Sequence, residues 1–155
     1  MEMLKQRAGI SLLHIPYRGG APALNDLLGG QVELMFLNQD GVMPYVRTGK
    51  LVALAISTGA RNPQLPEVPT VAESGFRGFE ATAWAGISAP RGTPDAVVQR
   101  LHAAVQKVLQ GPFRGKQEAL GAQVVGSTPA QYAAFVQAET EKWANVIKAA
   151  GIRAD

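Results

Sequence analysis

At 155 residues the chain is long enough for one globular domain with its own core, or for one and a half small lobes. With 46% hydrophobic and 17% charged residues it reads as an ordinary folded α/β chain, which excludes disorder and fibrous repeats, and the lack of cysteine excludes disulfides, thiolate metal sites and a cysteine nucleophile. A net charge of +3 and a pI near 9.5 suit an anionic ligand, yet Lys and Arg form no run that would track phosphates, so nucleic acid is not an expected partner.

Residues 2 to 8 read as the last turns of a helix stopped by Gly9, an odd start for a complete domain, and the expectation is that the native product begins earlier. The first ten residues lack the apolar core and cleavage site of a secretory signal, and no apolar run approaches a membrane span. Ser11 to Tyr17 is a short apolar run expected as a strand. It is followed by R-G-G-A-P-A, in which two glycines permit unusual backbone angles and Pro22 suits the first position of a helix carrying Leu24, Leu27 and Leu28. Val32 to Leu37 is expected as a second strand, Asp40 to Arg47 as a short helix, and Leu51 to Ile56 as a third strand. The β-α-β-α-β series predicts a parallel or mixed sheet with helices on both faces.

From Arg61 to Gly78 the prolines at 63, 66 and 69 predict an extended connector, after which Thr70 and Glu73 have the spacing of a capping box for one short helix. Glu80 to Ala89 is expected as a strand. Thr93 is placed as the cap of a helix starting at Pro94 and broken at Gly111-Pro112; a short helix over 113 to 120 and a short strand over Gln123 to Val125 follow. Thr128-Pro129-Ala130-Gln131 opens the last helix with a capping box, and a stripe from Tyr132 to Ile147 runs along it until Gly151. Composition shifts near residue 90 from β-α alternation to mostly helix, which predicts a lobe boundary between 80 and 90.

Five ordered segments carry a family likeness: HIPYRGGAPALNDLLGGQVELMF at 14 to 36, PYVRTGKLVALA at 44 to 55, LPEVPTVAESGF at 65 to 76, AWAGISAPRGTP at 83 to 94 and GSTPAQY at 126 to 132. In order and spacing the chain resembles the C-terminal half of Bug-type (TctC-like) substrate-binding proteins of tripartite tricarboxylate transport systems. The resemblance implies a partial class II-like periplasmic-binding α/β fold. Residues 1–80 would form most of lobe 2, 81–92 the hinge crossover, and 93–155 the C-terminal part of lobe 1. It implies a small carboxylated ligand and membrane transporter subunits as partners, a periplasmic location, no cofactor and no catalysis.

The resemblance implies a ligand at Gly19, Gly20, Ala21, Pro22 and Ala23, and the physics of the loop agrees, because a helix N-terminus offers unpaired N–H groups and a positive dipole end to a carboxylate. Tyr17 adds a hydroxyl. The resemblance also points to the strand end after Met35-Phe36, where an Asp-Asn pair is usual; Asn38 matches, whereas Leu37 departs and implies a less polar subsite for an aromatic or longer-chain acid. Set against this, R-G-G-A-P-A alone is an ordinary strand-to-helix turn, Tyr17 and Trp84 can be plain packing, and Arg18 a solvated loop residue. His14 and His102 have neither metal-ligand spacing nor a nucleophile elbow beside them. Two rival readings stand: a chain that binds nothing and forms a homodimer through exposed apolar surface, and a small enzyme using residues 18 to 22 as a phosphate cradle. The second lacks the Lys-Ser/Thr of a P-loop and the third glycine of a dinucleotide fingerprint.

Overall fold

The computed structural model describes residues 1–152, which fall into two compact units, Met1–Ala83 and a second beginning at Trp84. The first unit holds helices α1 (Glu2–Ala8), α2 (Gly20–Leu28) and α3 (Gln39–Arg47); the second holds α4 (Asp95–Gln110), α5 (Pro112–Ala119) and α6 (Pro129–Ala150). Met3, Ala23, Leu24, Met43, Val68, Val71 and Phe79 form the buried apolar set of the first unit, with Asn62 and Thr70 buried among the polar residues.

The five expected strands are not built as ladders. Among the described residues the only β-pairing is a parallel bridge between Ile56 and Thr70, where Ile56 N–H donates to Pro69 O and Val71 N–H to Ile56 O, both at 2.9 Å. Among the described residues the runs 11–17, 32–37 and 52–55 make no backbone–backbone hydrogen bond. An apolar run encodes an extended, burial-seeking segment, but a ladder also needs a second backbone about 4.8 Å away, and that is a tertiary fact.

Helix boundaries depart from expectation at two places. α2 starts at Gly20 rather than Pro22, which occupies its third position, where a missing N–H costs no intrahelical bond. Thr93 does not cap α4: its hydroxyl donates to Pro90 O at 2.8 Å, and extended Pro94 (φ −57°, ψ 139°) is the N-cap. The box on α6 is present in both directions, with Gln131 N–H donating to Thr128 Oγ1 and Thr128 N–H donating to Gln131 Oε1.

The Thr70–Glu73 box forms as well, with Thr70 N–H donating to Glu73 Oε2 (2.7 Å) and Glu73 N–H to Thr70 Oγ1 (3.0 Å), yet residues 71–75 are turns and not an α-helix. The chain bends off after one turn, where Phe76 N–H reaches back to Val71 O. The Thr70 N–H and the Arg61 guanidinium, which bonds both carboxylate oxygens at 2.9 and 3.1 Å, hold the Glu73 carboxyl below its ordinary value of 4.5. A carboxyl depressed on folding contributes stability above its unfolded pKa and loses it as pH falls through the folded value. Glu73→Gln is therefore expected to lower the melting temperature at neutral pH, with the difference from wild type shrinking as pH falls below the ordinary carboxyl range; melts from neutral to acid pH check it.

In the second unit Trp84 meets Tyr132 and Phe135 edge-on, with ring centroids 6.0 and 5.2 Å apart. Gly86 lies where a Cβ would come within 2.3 Å of the Tyr132 hydroxyl, so only glycine fits beneath that ring. Burial pushes the Glu139 carboxyl up, but the hydrogen bonds it accepts from Lys142, Trp143 (2.8 Å) and Trp84 together outweigh this and hold it below its ordinary value.

Candidate anion site at two helix N-termini

The loop 17–20 and the segment ending at Asn38 bring two helix starts to one place. Gly19 is the N-cap of α2 at φ 110°, a backbone angle that L side chains rarely adopt, and no side chain caps the helix. Gly19 and Gly20 thus present free N–H donors together with Ala21, while Pro22 has none and Ala23, the fourth helical residue and buried, has its N–H inside the helical ladder. Gly19, Gly20, Ala21 and Pro22 are all solvent-exposed.

Leu37 joins this end to α3. Its Cδ1 lies 2.7 Å from where a Cβ on Gly20 would sit, and its Cδ2 lies 3.6 Å from the same point on Gly41 in the first turn of α3. The first turns of α2 and α3 therefore rest on opposite methyls of one leucine. Asn38 is the N-cap of α3 in extended conformation (φ −62°, ψ 138°), but its exposed side chain does not cap the helix. Two uncapped N-termini around one side chain concentrate positive dipole ends and unpaired donors, the arrangement that favours an anion.

Two polar contacts brace the cradle. Tyr17 hydroxyl donates to Asp26 Oδ2 at 2.8 Å, tying the loop to α2, and this hydrogen bond to the carboxylate pushes the phenol pKa above its ordinary 10.0. The expected ligand-facing hydroxyl is thus engaged with Asp26 of α2. Asn62, only 6% exposed, donates through Nδ2 to Gln39 Oε1 at the start of α3 and accepts from Gln64 N–H at 2.7 Å. Sequence reasoning gave Asn62 no role; nothing in R-N-P-Q distinguishes a buried brace from a loop asparagine. Trp84 and His102 lie in the second unit, where Trp84 packs on Tyr132 and Phe135 and His102 contacts Gln106 at 3.1 Å. Among the described residues no group of three His, Cys, Asp or Glu is placed to hold a metal.

The chain superposes on the periplasmic binding protein BugD (TM-score 0.82, 40% identity, 99% of this chain and 52% of that one). It superposes likewise on Rpa4515 of Rhodopseudomonas palustris solved with adipate (0.84, 36%, 97% and 51%). A third such structure is MatC of the same organism with bound malate (0.80, 36%, 94% and 51%). The fold is thus the α/β architecture of periplasmic binding proteins, of which this chain spans about half. Residues 1–152 match the tripartite tricarboxylate transporter family receptor domain, TctC, and the chain belongs to that family. It is 36% identical to BugT of Bordetella pertussis over 98% of its own length and 47% of the relative's. With a UPF0065 protein from the tcbD-tcbE intergenic region of Pseudomonas sp. P51 the figures are 40%, 94% and 44%. The chain spans about half the length of these curated relatives.

Proposed function

We propose that this chain takes part in capturing a small organic anion bearing at least one carboxylate, for delivery to the membrane subunits of a tripartite tricarboxylate transporter in the periplasm. The observation that carries this reading is the meeting of the α2 and α3 N-termini on Leu37. Gly19, Gly20 and Ala21 would hold the carboxylate through backbone N–H groups, Asn38 would contribute its amide, and Tyr17, Pro22 and Ala23 would shape and brace the loop. Two of the similar structures carry adipate and malate, which are dicarboxylates. Leu37 places methyl groups between the two helix ends, which favours an acid with an apolar stretch, aromatic or longer-chain, over a short and densely charged one. Residues 1–80 would then serve as most of lobe 2, 81–92 as the crossover and 93–155 as part of lobe 1. Among the described residues no helix is long and apolar enough to cross a membrane, which fits a receptor that leaves translocation to its partners.

A thermal-shift screen of the 155-residue chain against dicarboxylates, tricarboxylates, amino acids and aromatic acids tests the reading. An acid at a hundred times its dissociation constant adds about 2.7 kcal/mol, or roughly 5–10 °C for a domain of this size. In Gly20→Val the new Cβ drives into Leu37 Cδ1, so the cradle is deformed and the affinity for that acid is expected to fall by about tenfold or more. If no acid shifts the wild type, or if Gly20→Val binds as wild type does, the site is not the helix pair.

A further inference from the structure

Three donors converge on Glu139 in the second unit. Its carboxylate, 12% exposed, accepts from Trp143 Nε1 at 2.8 Å, from Lys142 Nζ and from the Trp84 indole. Lys142 and Trp143 stand three and four residues further along α6, so helical spacing alone brings them to it. Of the three, only Trp84 comes from another segment. Tyr132, Phe135 and Glu139 follow one another along one face of α6, and the Trp84 ring meets the first two edge-on. Gly86 runs under the Tyr132 hydroxyl. Residues 84–86 are therefore seated on one stripe of α6, between ring edges and a carboxylate. Trp84 is still 43% exposed, so packing alone does not enclose it.

An indole N–H can only donate, and an ionised carboxylate offers acceptor sites to all three donors. A protonated carboxyl carries an O–H that itself donates, so it cannot serve them all. The contacts within α6 cost little to keep, whereas the Trp84 contact must order a separate segment and is the one given up. We infer that Glu139 is a proton-operated latch: ionised, it fixes the Trp84 indole on α6, and protonated, it frees residues 84–86 from that seat. The charged group beside it is Lys142, whose ammonium also lies 5.1 Å over the Trp143 ring; the Tyr132 phenol is two turns back on the same face, and residues 84–86 bring no titratable group. Burial raises the carboxyl, the donors more than offset this, and a carboxyl lowered on folding stabilises above its unfolded pKa and loses that contribution as pH falls through the folded value. The latch therefore holds at neutral pH and opens in acid. In the proposed function these residues lie in the crossover 81–92, whose seat on α6 the latch would control; it is read without ligand, so it stands or falls apart from that reading.

With two tryptophans, the chain gives two indole N–H signals by nuclear magnetic resonance, told apart by Trp84→Phe. At neutral pH the Trp84 indole is expected to be protected from exchange, relative to its intrinsic rate, about tenfold or more better in wild type than in Glu139→Gln. That protection is expected to disappear as pH falls below the ordinary carboxyl range, with no such step in Glu139→Gln. Trp84→Phe keeps a ring against Tyr132 and Phe135 and removes only the indole donor, so it tests the latch even if Glu139→Gln does not fold. Its melting temperature is expected to lie below that of wild type at neutral pH and to approach it in acid. Equal protection in wild type and Glu139→Gln at neutral pH overturns the proposal. An acid step that persists in Glu139→Gln, or a Trp84→Phe deficit that stays constant with pH, overturns it as well, because the proton then acts elsewhere.

Discussion

Phe79→Ala is expected to destabilise the first unit by about 3–5 kcal/mol, the usual cost of emptying a buried aromatic site. Phe79 is 2% exposed, the most enclosed apolar residue of a small buried set. It sits in a turn, with its N–H bonded to Phe76 O at 2.9 Å, so little backbone can collapse into the space left behind. Urea titration followed by circular dichroism checks the prediction: the midpoint should drop while the slope stays constant. A loss below about 1 kcal/mol would show that Phe79 does not anchor the core of that unit.

Asn62→Ala is expected to cost about 1–3 kcal/mol, because it removes two hydrogen bonds from a buried amide that crosses from the Pro-rich connector to α3. Its second consequence is functional. Without the Asn62 contact, Gln39, the first residue of α3, loses one of its anchors, and under the proposed function the N-terminal donors of that helix are then held less firmly relative to Gly20 and affinity for a carboxylate is expected to fall. Asn62→Asp separates the two effects, since it keeps the acceptor for Gln64 N–H and removes the donor to Gln39. If the brace positions the site, Asn62→Asp binds more weakly than its remaining stability predicts. Isothermal calorimetry with the acid found by the thermal-shift screen, alongside melts of the same samples, reads both. Equal affinity in Asn62→Asp and wild type would reduce Asn62 to a purely structural residue.

Helices were the legible part of this sequence because the signals that start and stop them are local. Thr128-Pro129-Ala130-Gln131 and Gly151 bound α6 where expected, and Gly29 follows the Leu24, Leu27, Leu28 face of α2 as its C-cap. Local signals also misled where two residues competed for one role: Thr93 and Pro94 both suit a helix start, and the extended angle of Pro94 decided which became the cap. The Thr70–Glu73 box formed without its helix, since a cap satisfies a first turn and does not supply the packing that extends it.

The family was readable from five ordered motifs, and the R-G-G-A-P-A loop could be singled out because glycine before a helix is a local requirement for open donors. By itself, then, the sequence determined most of the helices, the family and the glycine loop that opens α2. Tertiary structure decided the rest. It set the α3 N-terminus against α2 across Leu37, turned the Tyr17 hydroxyl to Asp26, buried Asn62 under Gln39, and left three extended runs without ladders. Each of those outcomes depends on which backbone lies beside which at distances of a few ångströms, and a pattern of residue types along one segment carries no information about its neighbour in space.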